Sequence, residues 1–185
     1  MEFANEYLKV VQERFWSVKD LGDKSLRQLS EGELHWKLND TSNSIVIIVK
    51  HLNGNMNSRW INFLETDGEK ETRNRDDEFT EEYFTKEELQ AIWNNGWQTL
   101  FNTLKNLDQK DLLKKVTIRG EEHTVIEAIE RQMAHYAYHV GQIVYIGKQV
   151  KNEDWTTLSI PKGQSEMYLQ KQIEKHCPNN ETPNR

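Results

Sequence analysis

The chain has 185 residues and a formal net charge of −6, with 36% hydrophobic and 29% charged residues. These values fit one globular domain with a substantial core, and the longest apolar run, residues 45–49, is far shorter than the roughly 20 residues that cross a bilayer. The acidic balance argues against a general nucleic-acid binder, because the basic side chains are interleaved with acidic ones. The single cysteine, Cys177, and the absence of a basic and apolar leader at residues 1–6 predict a cytoplasmic protein without disulfides.

The first amphipathic segment is predicted to be a helix over residues 3–21. Its apolar side chains recur every three or four residues, and Gly22 ends the pattern. Residues 23–40 then form a connector, with one short helical turn predicted at residues 25–29.

The second segment is predicted to be a central helix from about Ser44 to Leu64, with Ser42, Asn43 or Ser44 as its N-cap. Five β-branched residues at 45–49 would favour a buried strand on propensity alone. One broad apolar face continues to residue 63, however, and this longer pattern favours a helix. Gly54 lies inside this helix, at a cost of about 1 kcal/mol relative to alanine, and predicts close approach by another element.

A long polar stretch over residues 65–86 separates the second helix from the third. Stretches of this length are often functional or lid-like in compact domains. Thr85 and Glu88 have the spacing of a capping box, which predicts a third helix that runs to about Leu107.

The last third of the chain contains the fourth long helix, predicted over residues 124–151 and opened by a second capping box. It follows a connector, residues 108–122, in which residues 115–120 alternate and could form one arm of a short hairpin. A short helix is predicted from residue 165 to about 175, followed by a flexible tail at residues 178–185.

Together these segments predict an all-α fold, a four-helix bundle, in a single domain over residues 1–177. The connectors after the first and second long helices exceed the length that is typical of adjacent antiparallel helices. This weakens a simple up-down-up-down order.

Three histidines are the candidate metal ligands. His135 and His139 lie four residues apart on the fourth long helix, so their rings differ by about 40° around the axis and about 6 Å along it. This geometry lets two imidazoles bind one metal ion, although two half-buried core histidines would have the same spacing. His51 lies on the apolar face of the second helix, and imidazoles from facing helices can meet inside a bundle.

A resemblance to a known family extends over nearly the whole chain. The stretches with this resemblance are residues 43–45, 51–55, 59–60 and 135–142. In this order and spacing they resemble the DinB-like superfamily, which includes YfiT-like bacillithiol S-transferases and related metal-dependent thiol transferases. Residues 73–79 and 158–165 make the chain more similar to a branch known only as a domain of unknown function.

The resemblance implies a four-helix bundle with one long crossover, a homodimer, and a divalent metal held by His51, His135 and His139. Zinc or nickel is expected, with iron, manganese and cobalt as alternatives, since histidine ligation does not select among them. The implied reaction transfers a low-molecular-weight thiol to an electrophile in detoxification, so the partners are small molecules. A metal-dependent hydrolase and a non-catalytic metal-binding stress-response protein are the alternatives.

Several polar residues near the histidines are candidates for supporting roles. Gln142 and Asn55 each lie about one turn beyond a candidate ligand, where they could hydrogen-bond a metal-bound water or a substrate, or be ordinary polar helix residues. Arg59 could bind an anionic thiol or a carboxylate at the pocket mouth, or form an exposed salt bridge. In the polar stretch, Asp76 or Glu78 could orient a ligand imidazole.

Overall fold

The structure is a computed structural model that describes residues 2–176, so Cys177 and the predicted tail at 178–185 lie outside the described residues. It is mostly helical, with one small two-stranded sheet. The elements in chain order are α1 (Glu2–Gln28), α2 (Glu31–Leu34), α3 (Ile45–Trp60), α4 (Lys86–Asn106), β1 (Lys115–Ile118), β2 (Glu121–Thr124), α5 (Val125–Lys151) and α6 (Ser165–His176). None of the helices within residues 2–176 is long and apolar enough to cross a membrane.

The starts of α4 and α5 confirm the predicted capping boxes, and α3 uses Ser44, one of three candidate caps at its start. Ser44, Thr85 and Thr124 each accept a hydrogen bond from the backbone N–H three residues further on. α3 is helical despite its β-branched start, but it ends at Trp60 rather than at the predicted Leu64. The backbone leaves the helical conformation after Trp60, and a residue with positive φ follows two positions later.

The predicted end of α1 at Gly22 is wrong. Gly22 is buried inside α1, which continues to Gln28. A Cβ on Gly22 would lie 2.5 Å from Cη2 of Trp93, so the missing side chain makes room for the indole of α4. The short helical turn comes later than predicted, as α2, with Ser30 at its start.

The core lies between α1, α3, α4 and α5 and is rich in aromatic side chains. α1 packs against α5 and α4, and α3 packs against α4 and α5. Tyr136 is fully buried beside Phe15 and Trp97. Its hydroxyl accepts a hydrogen bond from Trp60 Nε1 at 2.9 Å and donates one to Asn55 Oδ1 at 3.0 Å. These bonds satisfy buried polar groups directly beside the histidines.

β1 and β2 form an antiparallel hairpin, which confirms the predicted hairpin arm. Arg119 and Gly120 form its two-residue turn with φ of 57° and 75°, as a type I′ turn requires. The Asp67 carboxylate accepts hydrogen bonds from both of their backbone N–H groups, at 2.9 and 2.8 Å. Burial alone would raise the pKa of Asp67, but these and other backbone hydrogen bonds lower it to about 2. The hairpin is thereby tied to the connector between α3 and α4.

Candidate metal centre

The structure brings the three predicted histidines together, His51 from α3 and the pair His135 and His139 from α5. Nε2 of His135 lies 3.3 Å from Nε2 of His51 and 3.1 Å from Nε2 of His139. The three candidate ligand nitrogens all lie within 4.8 Å of one another. His51 is buried and the other two rings are half-buried.

The 3.1 and 3.3 Å spacings each fit a pair of nitrogen donors on one metal ion. Two nitrogens about 2.1 Å from a metal lie about 3.0 Å apart at a right angle and about 3.4 Å apart at a tetrahedral angle. The tautomers also fit, because His51 Nδ1 lies 2.9 Å from Glu78 Oε2 and His139 Nδ1 lies 3.1 Å from Gln142 Oε1. Each Nδ1 donates to its oxygen acceptor, so Nε2 of both rings keeps the lone pair that a metal needs.

Burial favours the neutral form of the α5 imidazoles, which is the form that binds metals. Burial lowers the pKa of His135 to about 3, and the neighbouring His139 and His51 add to the effect. Burial, followed by the nearby His51, also lowers the pKa of His139. Both rings are therefore available as ligands at neutral pH.

Glu78 orients the His51 ring from the connector between α3 and α4. The sequence left Asp76 and Glu78 as alternatives, and the structure selects Glu78, which is buried in a 3₁₀ turn packed against α3. Its two oxygens accept hydrogen bonds from Arg73 Nε at 2.7 Å and Nη2 at 2.8 Å. Burial alone would raise the pKa of Glu78, but the hydrogen bonds from His51 and Arg73 outweigh it and lower the pKa. A carboxylate bound to a ligand imidazole is the usual support of a histidine metal site.

Gly54 provides the space that Glu78 occupies. It lies on α3 three residues after His51, and a Cβ at this position would lie 2.7 Å from Cδ of Glu78. The close approach predicted for this glycine is confirmed, and the approaching group is the carboxylate that orients a candidate ligand.

Comparison with known proteins identifies the family. Residues 2–164 match the family described as "Protein of unknown function (DUF1572)". The chain belongs to the DUF1572 family. The match confirms the predicted membership of an uncharacterised family. It also includes all three candidate ligands. No curated protein and no solved structure matches the chain.

Three further predicted site residues of this DUF1572 chain, Gln142, Asn55 and Arg59, line a cavity at the histidines. Gln142 fixes the His139 ring, as described above. Asn55 is buried, and its Oδ1 accepts the Tyr136 hydroxyl. Arg59 is 5% exposed, so its predicted salt bridge is present but buried rather than exposed. Its guanidinium donates to the carbonyl of Gly68 and, at 3.0 Å, to Glu69.

The cavity at the histidines has a volume of about 400 Å³, within the range of small-molecule sites. All its permanently charged lining residues are arginines, namely Arg59, Arg73, Arg75, Arg119 and Arg131. No sequence pattern pointed to a role for the last four, because they come from separate parts of the chain: the connector, the hairpin turn and α5. A larger cavity of about 790 Å³ lies beside Glu78, and none of the three histidines lines it.

Proposed function

We propose that this DUF1572 protein is a DinB-like metalloenzyme that transfers a low-molecular-weight thiol to an electrophile. The metal, zinc or nickel, is held by His51, His135 and His139. The observation that supports this most directly is the convergence of three imidazoles, with Nε2 atoms 3.1 and 3.3 Å apart and with Glu78 and Gln142 holding two of the rings.

The proposal includes a four-helix bundle built from α1, α3, α4 and α5. It is supported by the pairing of α1 with α4 and α5, and of α3 with the same two helices. In this arrangement α1 and α3 are diagonal to each other and joined by a long connector, the crossover that the DinB-like resemblance implies. The two ligand-bearing helices, α3 and α5, are neighbours.

The chemistry follows from a neutral ligand set. A divalent ion bound by three imidazoles keeps its double charge and open coordination positions, and it lowers the pKa of a bound thiol or water. The chain itself supplies the rest: Glu78 and Gln142 fix the ligand rings, and the cavity admits the substrates. In the transfer the thiol loses its proton to solvent, sulfur forms a bond to carbon, and the bond from that carbon to a halide or an epoxide oxygen breaks with its electron pair on the leaving group.

Metal content tests the site first. Full-length protein purified without an affinity tag and equilibrated with Zn²⁺ or Ni²⁺ should retain one ion per chain. His51→Ala, His135→Ala and His139→Ala should each lose it, whereas His35→Ala, a histidine outside the site, should retain it. Substoichiometric metal that none of the three substitutions changes would refute the site.

Turnover tests the reaction. The metal-loaded protein should accelerate transfer of at least one thiol of a panel, cysteine, glutathione and mercaptosuccinate, to monobromobimane, an alkyl halide, and His135→Ala should abolish the acceleration. Hydrolysis of umbelliferyl acetate without any thiol transfer would replace the proposal by a metal-dependent hydrolase. Bound metal with neither activity, together with lower thermal stability of the histidine variants, would favour a non-catalytic metalloprotein.

A further inference from the structure

The cavity at the histidines is cationic, although the protein as a whole carries a net charge of −6. Five of the eight arginines in the sequence line it, and none of the sixteen lysines does. No aspartate or glutamate is among its lining residues. Arginine differs from lysine in that its planar guanidinium binds carboxylates and phosphates through paired hydrogen bonds. The choice of residue and the uniform sign of charge both point to an anionic ligand.

The carboxylates behind these arginines do not neutralise them. The Glu69 carboxylate accepts hydrogen bonds from three guanidinium groups, those of Arg59, Arg73 and Arg119, at distances between 2.9 and 3.2 Å. Glu78 binds Arg73 as well. Even when the distant ion pair of Arg131 with Glu121, at 3.8 Å, is counted, only three carboxylates among the described residues pair with the five guanidinium groups. An excess of two positive charges remains before any metal is bound, and it favours a dianion.

Arg75 has the guanidinium that is freest to bind a ligand. Arg75 is exposed, and its guanidinium forms no ion pair or hydrogen bond with another described residue. Its position is nevertheless defined, because the guanidinium carbon lies 5.0 Å from the centroid of the Phe79 ring. The Phe79 ring in turn packs 4.9 Å from the His51 ring. The stacking holds a free cation close to the metal ligands.

Arg131 provides a second available guanidinium from another element. It lies on α5 four residues before His135, on the same helix face. Its Nη1 approaches the exposed Glu121 only to 3.8 Å and His123 Nε2 to 3.3 Å. Arg59 and Arg73, by contrast, are buried and engaged with the connector, which makes them structural supports.

We propose that the thiol substrate is a small dianion, bound through its charged groups by Arg75 and Arg131 while its sulfur faces the three histidines. A vicinal dicarboxylate and a phosphate monoester present the same chemistry to two guanidinium groups. The inference deepens the proposed function and rests on it for the identity of the reacting group. Anion binding itself depends only on the arginines, so it can be measured without the metal.

Calorimetric titration of the full-length, metal-free protein tests the proposal. The probes are succinate, methyl phosphate and succinamide, the uncharged counterpart of succinate. We expect at least one dianion to bind about tenfold or more tightly than succinamide. Arg75→Gln and Arg131→Gln should each weaken this binding about tenfold, as expected for the loss of a charged hydrogen bond. Arg14→Gln, which removes the same charge from an exposed position on α1, should leave it unchanged.

Each outcome decides the question. Preference for succinate or for methyl phosphate identifies the charged group of the substrate. Equal binding of succinamide, binding that survives both arginine substitutions, or binding that appears only after zinc loading and ignores the arginines would overturn the proposal. Arginine-dependent binding by a chain that retains no metal would uphold the anion site and refute the proposed thiol transfer, so the two failures are distinguishable.

Discussion

Replacing Gly54 by alanine puts a methyl group against the carboxylate that holds His51. The new Cβ would lie 2.7 Å from Cδ of Glu78, about 0.7 Å inside the 3.4 Å at which ordinary contact begins. Glu78 cannot yield freely, because it is buried and bound by Arg73 at 2.7 and 2.8 Å. A shift of this size stretches its 2.9 Å hydrogen bond to His51 Nδ1 beyond the usual range.

Two opposing effects set the expected magnitude. Alanine stabilises a helix interior by about 1 kcal/mol relative to glycine. Weakening hydrogen bonds to a buried charged group costs about 1.5–3 kcal/mol. We therefore expect the free energy of unfolding of the metal-free Gly54→Ala variant to fall by about 1 kcal/mol. Its metal affinity should fall about 10- to 100-fold, as is typical when a carboxylate behind a ligand imidazole is displaced.

Urea unfolding measures the first quantity, and competition with a chelating dye measures the second. Gly141→Ala on α5 is the matched control, since a Cβ there meets no heavy atom within 4 Å. This control should gain about 1 kcal/mol and keep its metal affinity. In a Glu78→Gln background, Gly54→Ala should add little further loss of affinity, because both changes act on one contact. Wild-type metal affinity in Gly54→Ala, with the same gain in stability as the control, would refute the reasoning.

Three further predictions concern two core substitutions and the loss of folding stability at low pH. Tyr136→Phe leaves the buried Trp60 Nε1 without its acceptor and should lower the free energy of unfolding by about 1–3 kcal/mol; an unchanged urea midpoint would contradict this. Gly22→Ala should lower it by about 1–3 kcal/mol, because the rigid Trp93 ring cannot yield, and a gain would show that the packing relaxes. In metal-free protein the pKa of His135 is lowered to about 3 from an unfolded value of about 6.5, so only the unfolded state binds its proton between these values. Stability should fall as pH drops through that window, by at most about 1.4 kcal/mol per unit for this half-exposed group, and His135→Gln should flatten the slope in urea titrations at several pH values.

The elements that the sequence predicted well are those set by local patterns. Thr85 and Thr124 mark helix starts because a capping box needs only its own side chain and the next three residues, whereas Ser44 was one of three neighbouring candidates. Gly22 was misleading for the opposite reason. Locally it resembles a helix end, but the indole of Trp93, seventy-one residues away in the sequence, packs into the space it leaves and the helix continues.

The candidate site divides in the same way. Helix geometry alone puts His135 and His139 on one face. His51 was a candidate from its place on the apolar face of α3, but only the family resemblance joined it to the pair, since nothing local relates α3 to α5. The connector has no periodicity from which to choose between Asp76 and Glu78. Its side chains are positioned by contacts with α3 and with the hairpin, which the sequence alone does not fix.

The span of chain between the ligands has a consequence for folding. His51 and His135 are 84 residues apart in sequence, so an ion shared by them acts as a reversible cross-link between α3 and α5. Because such an ion binds the folded chain, a free metal concentration 100 times the dissociation constant adds about 2.7 kcal/mol to stability. Withdrawing the metal would remove that increment without altering the chain. The protein's lifetime would then follow the supply of its metal, and its steady-state level would report that supply.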